Sequence, residues 1–123
     1  VVFHAWLNFY LWLKSMWCQK IVEYNENNYR EFEYETGVAV IRFYAPWWIS
    51  CVQNAPFFDQ LAQLFDASVK FGKVNVDQSP ILTLRYQLFG LPTTLIFKDG
   101  QIIERLSGNI SVVQLQQKIQ SYL

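Results

Sequence analysis

Cysteine and histidine are scarce in this chain, with two Cys and one His among 123 residues. Cys18 and Cys51 lie too far apart for a short metal or dithiol motif, and a single His cannot complete a zinc site with them, so neither a metal nor a cofactor is expected. Two cysteines leave the redox compartment open. Excess charge is lacking too: ten basic residues balance ten acidic ones, for a formal net charge of zero. No basic cluster is present to neutralise a row of phosphates, which argues against nucleic acid as a partner. Internal repeats and low-complexity linkers are absent. The length suits one domain, enough for a buried core but not for two.

Aromatic residues, by contrast, are abundant at 18%. Trp6, Trp12 and Trp17 all fall near the start, in a stretch dominated by Val, Phe, Trp, Leu and Tyr whose only formal charge is Lys14. Such a stretch has to be buried in something. His4, Asn8, Ser15 and Gln19 recur at helical spacings, which predicts a helix with one polar stripe. Three readings compete for it. A signal peptide fits poorly, because there is no basic leader and no small-residue cleavage site. A membrane helix fits better, with Trp6, Tyr10, Trp12, Lys14 and Trp17 resembling an interfacial belt, although His4 and Asn8 interrupt a span that needs about 20 apolar residues. The third is a helix packed on a partner protein or on the rest of this chain. Embedding in a lipid bilayer or a membrane complex is the expectation adopted, since an uncovered aromatic surface of this size would aggregate. Residues 1–19 are therefore read as a hydrophobic anchor and 20–123 as the folded domain.

Beyond residue 20 the composition shifts. Glu23, Glu26, Glu31, Glu33 and Glu35 enter together and read as a solvated helix face. Residues 21–24 predict a short first strand, and Asn25 or Asn27 a cap for a helix reaching about residue 34, with Gly37 as its stop. Ala55, Phe58, Leu61, Ala62 and Phe65 form a helical core stripe that Pro56 is expected to kink. Residues 71–76 alternate as a strand, and 80–86 suit a short helix. Asp99-Gly100 between 94–97 and 101–106 is a strong hairpin signal. Val112, Leu115, Ile119 and Tyr122 mark a closing amphipathic helix over 111–122. The resulting order is βαβαβαββα, an α/β domain with a helix added in front.

The chain is organised around residues 37–51. Val38, Ala39, Val40 and Ile41 give the near-continuous apolar run of a central strand covered on both faces, and Phe43 and Tyr44 extend it. Pro46 ends the strand, because proline cannot donate to a sheet ladder. Trp47, Trp48, Ile49, Ser50 and Cys51 are then presented at the carboxyl end of a strand, where open α/β sheets place their sites.

The run Phe43-Tyr44-Ala45-Pro46-Trp47 closely resembles the FYAPW of protein disulfide isomerase and thioredoxin domains, in which Cys-x-x-Cys follows at once. Gly90-Leu91-Pro92-Thr93 resembles the cis-proline turn of those domains, and residues 71–77 are similarly close. The resemblance covers roughly 20–123 and implies the thioredoxin fold. Trp48 stands where the first cysteine would be, and Cys51 falls on the second. In these families the first cysteine attacks, as a thiolate at a helix amino end, and the second resolves the mixed disulfide. The position before Phe43, a carboxylate in the relatives and a proton acceptor for the resolving cysteine, is Arg42, which cannot act as a base. Val52 replaces a frequent Lys.

These departures at Arg42, Trp48 and Val52 imply a domain that keeps the fold without catalysis, with Arg42, Trp47, Trp48 and Cys51 as a degenerate, redox-inactive site. Its expected role is a membrane-attached structural subunit or adaptor. A protein partner would lie on the apolar face of Trp47, Trp48, Leu91 and Pro92, beside the backbone edge that binds extended peptides in these families. The alternative is a single-cysteine thiol–disulfide oxidoreductase that uses Cys51 or borrows Cys18. Within the superfamily, Trp47, Cys51, Ala55, Pro56 and residues 71–74 are similar to transmembrane thioredoxin-related proteins that lack the first cysteine. That likeness implies an endoplasmic reticulum membrane, with a mitochondrial or plastid membrane as the alternative.

Overall fold

The computed structural model describes residues 21–34 and 36–123 together with Trp6. Five strands and four helices alternate over the described residues: β1 (Val22–Tyr24), α1 (Arg30–Glu33), β2 (Val38–Tyr44), α2 (Ile49–Gln63), β3 (Val69–Asn75), α3 (Pro80–Arg85), β4 (Thr93–Lys98), β5 (Gln101–Ser107) and α4 (Val112–Ser121). This is the expected βαβαβαββα order.

The strands form one sheet in the order β1-β3-β2-β4-β5, with β1, β3 and β2 parallel and β4 and β5 antiparallel. β2 lies at its centre because its side chains are apolar on both faces. Val38 and Val40 join Phe58, Leu61, Phe71 and Ile119 in one core, whereas Ala39, Ile41 and Phe43 join Tyr24, Phe32, Leu82 and Phe97 in the other. Burial of this kind contributes roughly 1.5–3 kcal/mol for each large apolar side chain. In the second core Phe32 packs on Tyr24 and Phe97 with ring centroids 4.9 and 5.1 Å away, arrangements that add about 0.5–1.5 kcal/mol per pair.

The β4–β5 turn is made by Asp99 and Gly100, both with positive φ (52° and 82°), as a two-residue hairpin requires. Gly100 is needed for a second reason: a Cβ there would stand 2.2 Å from the Glu33 carbonyl oxygen. The Asp99 side chain accepts from Gly37 N at 2.8 Å, and Asp99 N donates to Gly37 O at 2.9 Å, so this turn also fixes the entry to β2. α2 continues through Pro56. α4 is capped by Ser111, whose hydroxyl accepts from Gln114 N.

Two expectations need correction. The helix expected up to residue 34 is only α1, because Asn25 and Asn28 spend their side chains on a turn: Asn28 Oδ1 accepts from Asn25 N at 2.7 Å and Asn25 Oδ1 from Asn27 N at 2.8 Å. Such local bonds compete with helix. The acidic run is not simply a solvated face either. Glu23 accepts from the Tyr44 hydroxyl, Glu26 from Ile81 N at the start of α3, and Glu33 from Arg85 and Tyr86.

Of the expected anchor, Trp6 is exposed, while Tyr10, Trp12, Lys14 and Trp17 lie outside the described residues. Among the described residues no helix is long and apolar enough to cross a membrane.

Candidate functional site

The site is built where β2 hands over to α2. Ala45 is fully buried, and from Pro46 onward the backbone turns outward, exposing Trp47 and Trp48. Trp48 has extended backbone (φ −82°, ψ 120°) and caps α2, its carbonyl accepting from Cys51 N at 2.9 Å and Val52 N at 3.1 Å. Cys51 therefore sits in the first turn of α2, a free thiol only 2% exposed.

Arg42 is carried under this turn by β2 and is 3% exposed. Its Nη2 donates to the Cys51 carbonyl at 2.6 Å, and its guanidinium carbon lies 5.3 Å from the centre of the Tyr44 ring. Nε is buried without a hydrogen-bond partner, and no salt bridge reaches Arg42 among the described residues. Burial pushes the guanidinium below its ordinary pKa, opposed by the charges of Cys51, Tyr44 and Asp59 in that order.

Tyr44 also faces Lys73, whose Nζ is 5.8 Å from the ring centre, and its hydroxyl donates to Glu23 Oε1 at 2.8 Å. Burial first and then that carboxylate raise the Tyr44 phenol to about 12. Glu23 pairs in turn with Lys73 at 3.7 Å.

Above the turn, Trp47 Nε1 donates to Asp77 Oδ2 at 2.5 Å, and the Trp47 and Trp48 rings meet edge-on at 5.4 Å. The Leu91–Pro92 peptide is cis. Trp47, Trp48 and Leu91 come together around a pocket of about 290 Å³ that Val76, Thr83, Leu88, Phe89 and Gly90 complete. Pro92 itself is buried and does not line it. Sequence reasoning thus found Trp47, Trp48 and Leu91 but missed Phe89, which is 96% exposed. The signal available was the apolar pair Leu88-Phe89 directly before Gly90-Leu91-Pro92. Among the described residues no group of three or more His, Cys, Asp or Glu is placed to hold a metal.

A cysteine in the first turn of the helix that follows a central strand, in a βαβαβαββα domain with a cis X-Pro peptide before β4, defines a protein of the thioredoxin superfamily. The comparisons with known proteins narrow this further. The Thioredoxin family model matches residues 20–121, and the chain belongs to that family. It is 31% identical to "Thioredoxin M-type, chloroplastic" of Spinacia oleracea over 85% of this chain and 59% of the relative. It is 33% identical to "Thioredoxin 1" of Nostoc over 68% of this chain and 78% of the relative. The solved thioredoxin of Malassezia sympodialis superposes with a TM-score of 0.74 at 25% identity, covering 85% of this chain and 91% of that one.

These findings overturn two expectations. The relatives are named thioredoxins, thiol–disulfide oxidoreductases, and not redox-inactive adaptors, so the reading of Arg42, Trp47, Trp48 and Cys51 as the remnant of a pseudoenzyme is set aside for the one-cysteine alternative. The departures at Arg42 and Trp48 remove the usual attacker and base, but not the thiol itself. The expected lipid-bilayer and membrane-complex partners fall with it, because the relatives are thioredoxins and no described helix is long and apolar enough to cross a membrane.

Proposed function

We propose that the chain is a thiol–disulfide oxidoreductase that works with one cysteine, Cys51, and an external low-molecular-weight thiol. The observation that carries this reading is the position of Cys51, in the first turn of α2 with a buried guanidinium bonded to its carbonyl, in a chain of the thioredoxin family. In the first step the Cys51 thiolate attacks one sulfur of a substrate disulfide. A mixed disulfide forms, and the other sulfur leaves as a thiolate that takes up a proton. In the second step an external thiolate attacks the substrate sulfur of that mixed disulfide and releases Cys51. A second external thiol clears the resulting disulfide, so that two external thiols supply both electrons. Because Cys51 is 2% exposed, reaction proceeds through a local fluctuation that uncovers the sulfur while the Arg42 bond to the Cys51 carbonyl is kept.

The substrate is an extended peptide carrying the disulfide, with an apolar side chain next to it filling the pocket of Trp47, Trp48 and Leu91, and with backbone beside Pro92 as the edge it lies against. The pattern of one retained cysteine is the part of the likeness to transmembrane thioredoxin-related proteins that this reading keeps. The chloroplastic relatives favour a plastid compartment over the endoplasmic reticulum. Residues 20–123 are the unit that carries the activity.

The test is turnover of a peptide disulfide with excess glutathione. The whole chain and Cys18→Ser should both turn over, and Cys51→Ser should not. Equal turnover by Cys51→Ser and the parent would remove the proposal.

A further inference from the structure

Among the described residues Arg42 is the one charged side chain that is buried, and its surroundings are incomplete. A buried cation ordinarily has a carboxylate and a full set of acceptors, because an unpaired one costs several kcal/mol. Arg42 has one carbonyl, that of Cys51, one aromatic face, that of Tyr44, and an Nε with no partner. β4 sets the uncharged Thr94 opposite Arg42, and the charged groups of the other neighbouring elements are not paired with it. Asp59 lies along α2, Lys73 and Glu23 on β3 and β1 pair with each other, and Asp77 is taken by Trp47. The hydrogen bond at 2.6 Å fixes the guanidinium against the residue that carries the thiol.

We infer that Arg42 is a positioning residue whose missing counter-charge is the Cys51 thiolate, so that the guanidinium holds the sulfur anionic for attack and makes it the preferred leaving group of any mixed disulfide. This rests on the one-cysteine reading above. When Cys51 is a neutral thiol or is tied up in a disulfide, the guanidinium lacks an anion. When Cys51 is a thiolate, the two charges satisfy one another in a water-poor site where their attraction is strong. Ionisation and release of Cys51 are favoured together, and both steps of the exchange gain. A carboxylate in this place would instead serve as a proton acceptor. Arg42 replaces that role with a standing positive charge.

The experiment measures alkylation of Cys51 by iodoacetamide in the folded full-length Cys18→Ser protein, from about pH 6 to about pH 10, a range that brackets thiol ionisation. Arg42→Gln keeps an N–H donor for the Cys51 carbonyl but removes the charge, and Arg42→Lys keeps the charge. Arg42→Met removes the buried cation in an apolar side chain of similar length, a change that folds at least as well in comparable cases. Near neutral pH the parent and Arg42→Lys should react about tenfold or more faster than Arg42→Gln and Arg42→Met, with the gap closing at the alkaline end where both thiols are ionised. A gap that stays constant with pH reports access to the thiol rather than charge, and overturns the inference. Equal rates in a parent that still turns over overturn the inference alone. A parent Cys51 that reacts only after unfolding overturns the one-cysteine reading and this inference with it.

Discussion

Trp48 stands at the cap of α2, one turn ahead of Cys51, and has no group that could attack or release sulfur. The chain therefore has one thiol at the point where a dithiol pair would shuttle the disulfide internally, and in the proposed one-cysteine cycle each turnover waits for a thiol from solution. Trp48→Cys places a second thiol at that cap. Its disulfide with Cys51 should form, and peptide-disulfide reduction should rise by about tenfold or more, because an intramolecular step replaces a bimolecular one. Steady-state turnover with glutathione held constant checks this. A variant that forms the disulfide without gaining rate would place the slow step elsewhere. Cys51, Trp48 and Arg42 were all legible in the sequence, since the run Phe43-Tyr44-Ala45-Pro46-Trp47 between Arg42 and Trp48 fixes their register. The lack of an ion pair to Arg42 was not, because only the packing shows which acceptors reach a guanidinium. Phe89 was equally hidden, being an apolar residue whose exposure depends on how α3 ends.

At the scale of elements, α1 and α3 are clipped together by side chains that looked merely solvated in the sequence. Glu33 accepts from Tyr86 at 2.6 Å and pairs with Arg85, whose Nη2 lies 2.5 Å away. Burial alone would raise the Glu33 carboxyl, but the bonds from Arg85 and Tyr86 outweigh it and hold the group below its ordinary value of 4.5. A lowered folded value stabilises the fold only while the carboxylate is charged. The contribution is complete above the ordinary glutamate range and is lost as pH falls through the lowered folded value. Glu33→Gln should cost about 1.5–3 kcal/mol at neutral pH, the range for a hydrogen bond to a charged group. The difference from the parent should shrink in acid, as chemical denaturation at several pH values would reveal. A pH-independent difference would mean that shape, and not charge, joins these helices. β2, the Asp99-Gly100 hairpin and the stripe of α4 were readable because periodicity and turn chemistry dictate them locally. α1 was misjudged in extent because two asparagines, Asn25 and Asn28, bond through their side chains to nearby backbone, a competition that periodicity does not register.

For the whole molecule, the sheet order, the two cores and the cis Leu91–Pro92 peptide converge on one end of β2. There the cap of α2 and the buried cation both reach the backbone of Cys51, and the neighbouring Trp47 and Trp48 line the pocket. The domain order was legible because each apolar run has the length and flanks of one element. The expectation of a membrane anchor was not upheld, since an aromatic stretch read alone says that it must be covered but not by what. The central claim is that Cys51 exchanges disulfides while the protein is folded. It is tested most directly by mass spectrometry of the Cys18→Ser protein after brief exposure to glutathione disulfide under native conditions, before and after adding excess glutathione. The account predicts one glutathionyl group on Cys51, gained without unfolding and removed by the thiol. A Cys51 that stays unmodified until denaturant is added would contradict it.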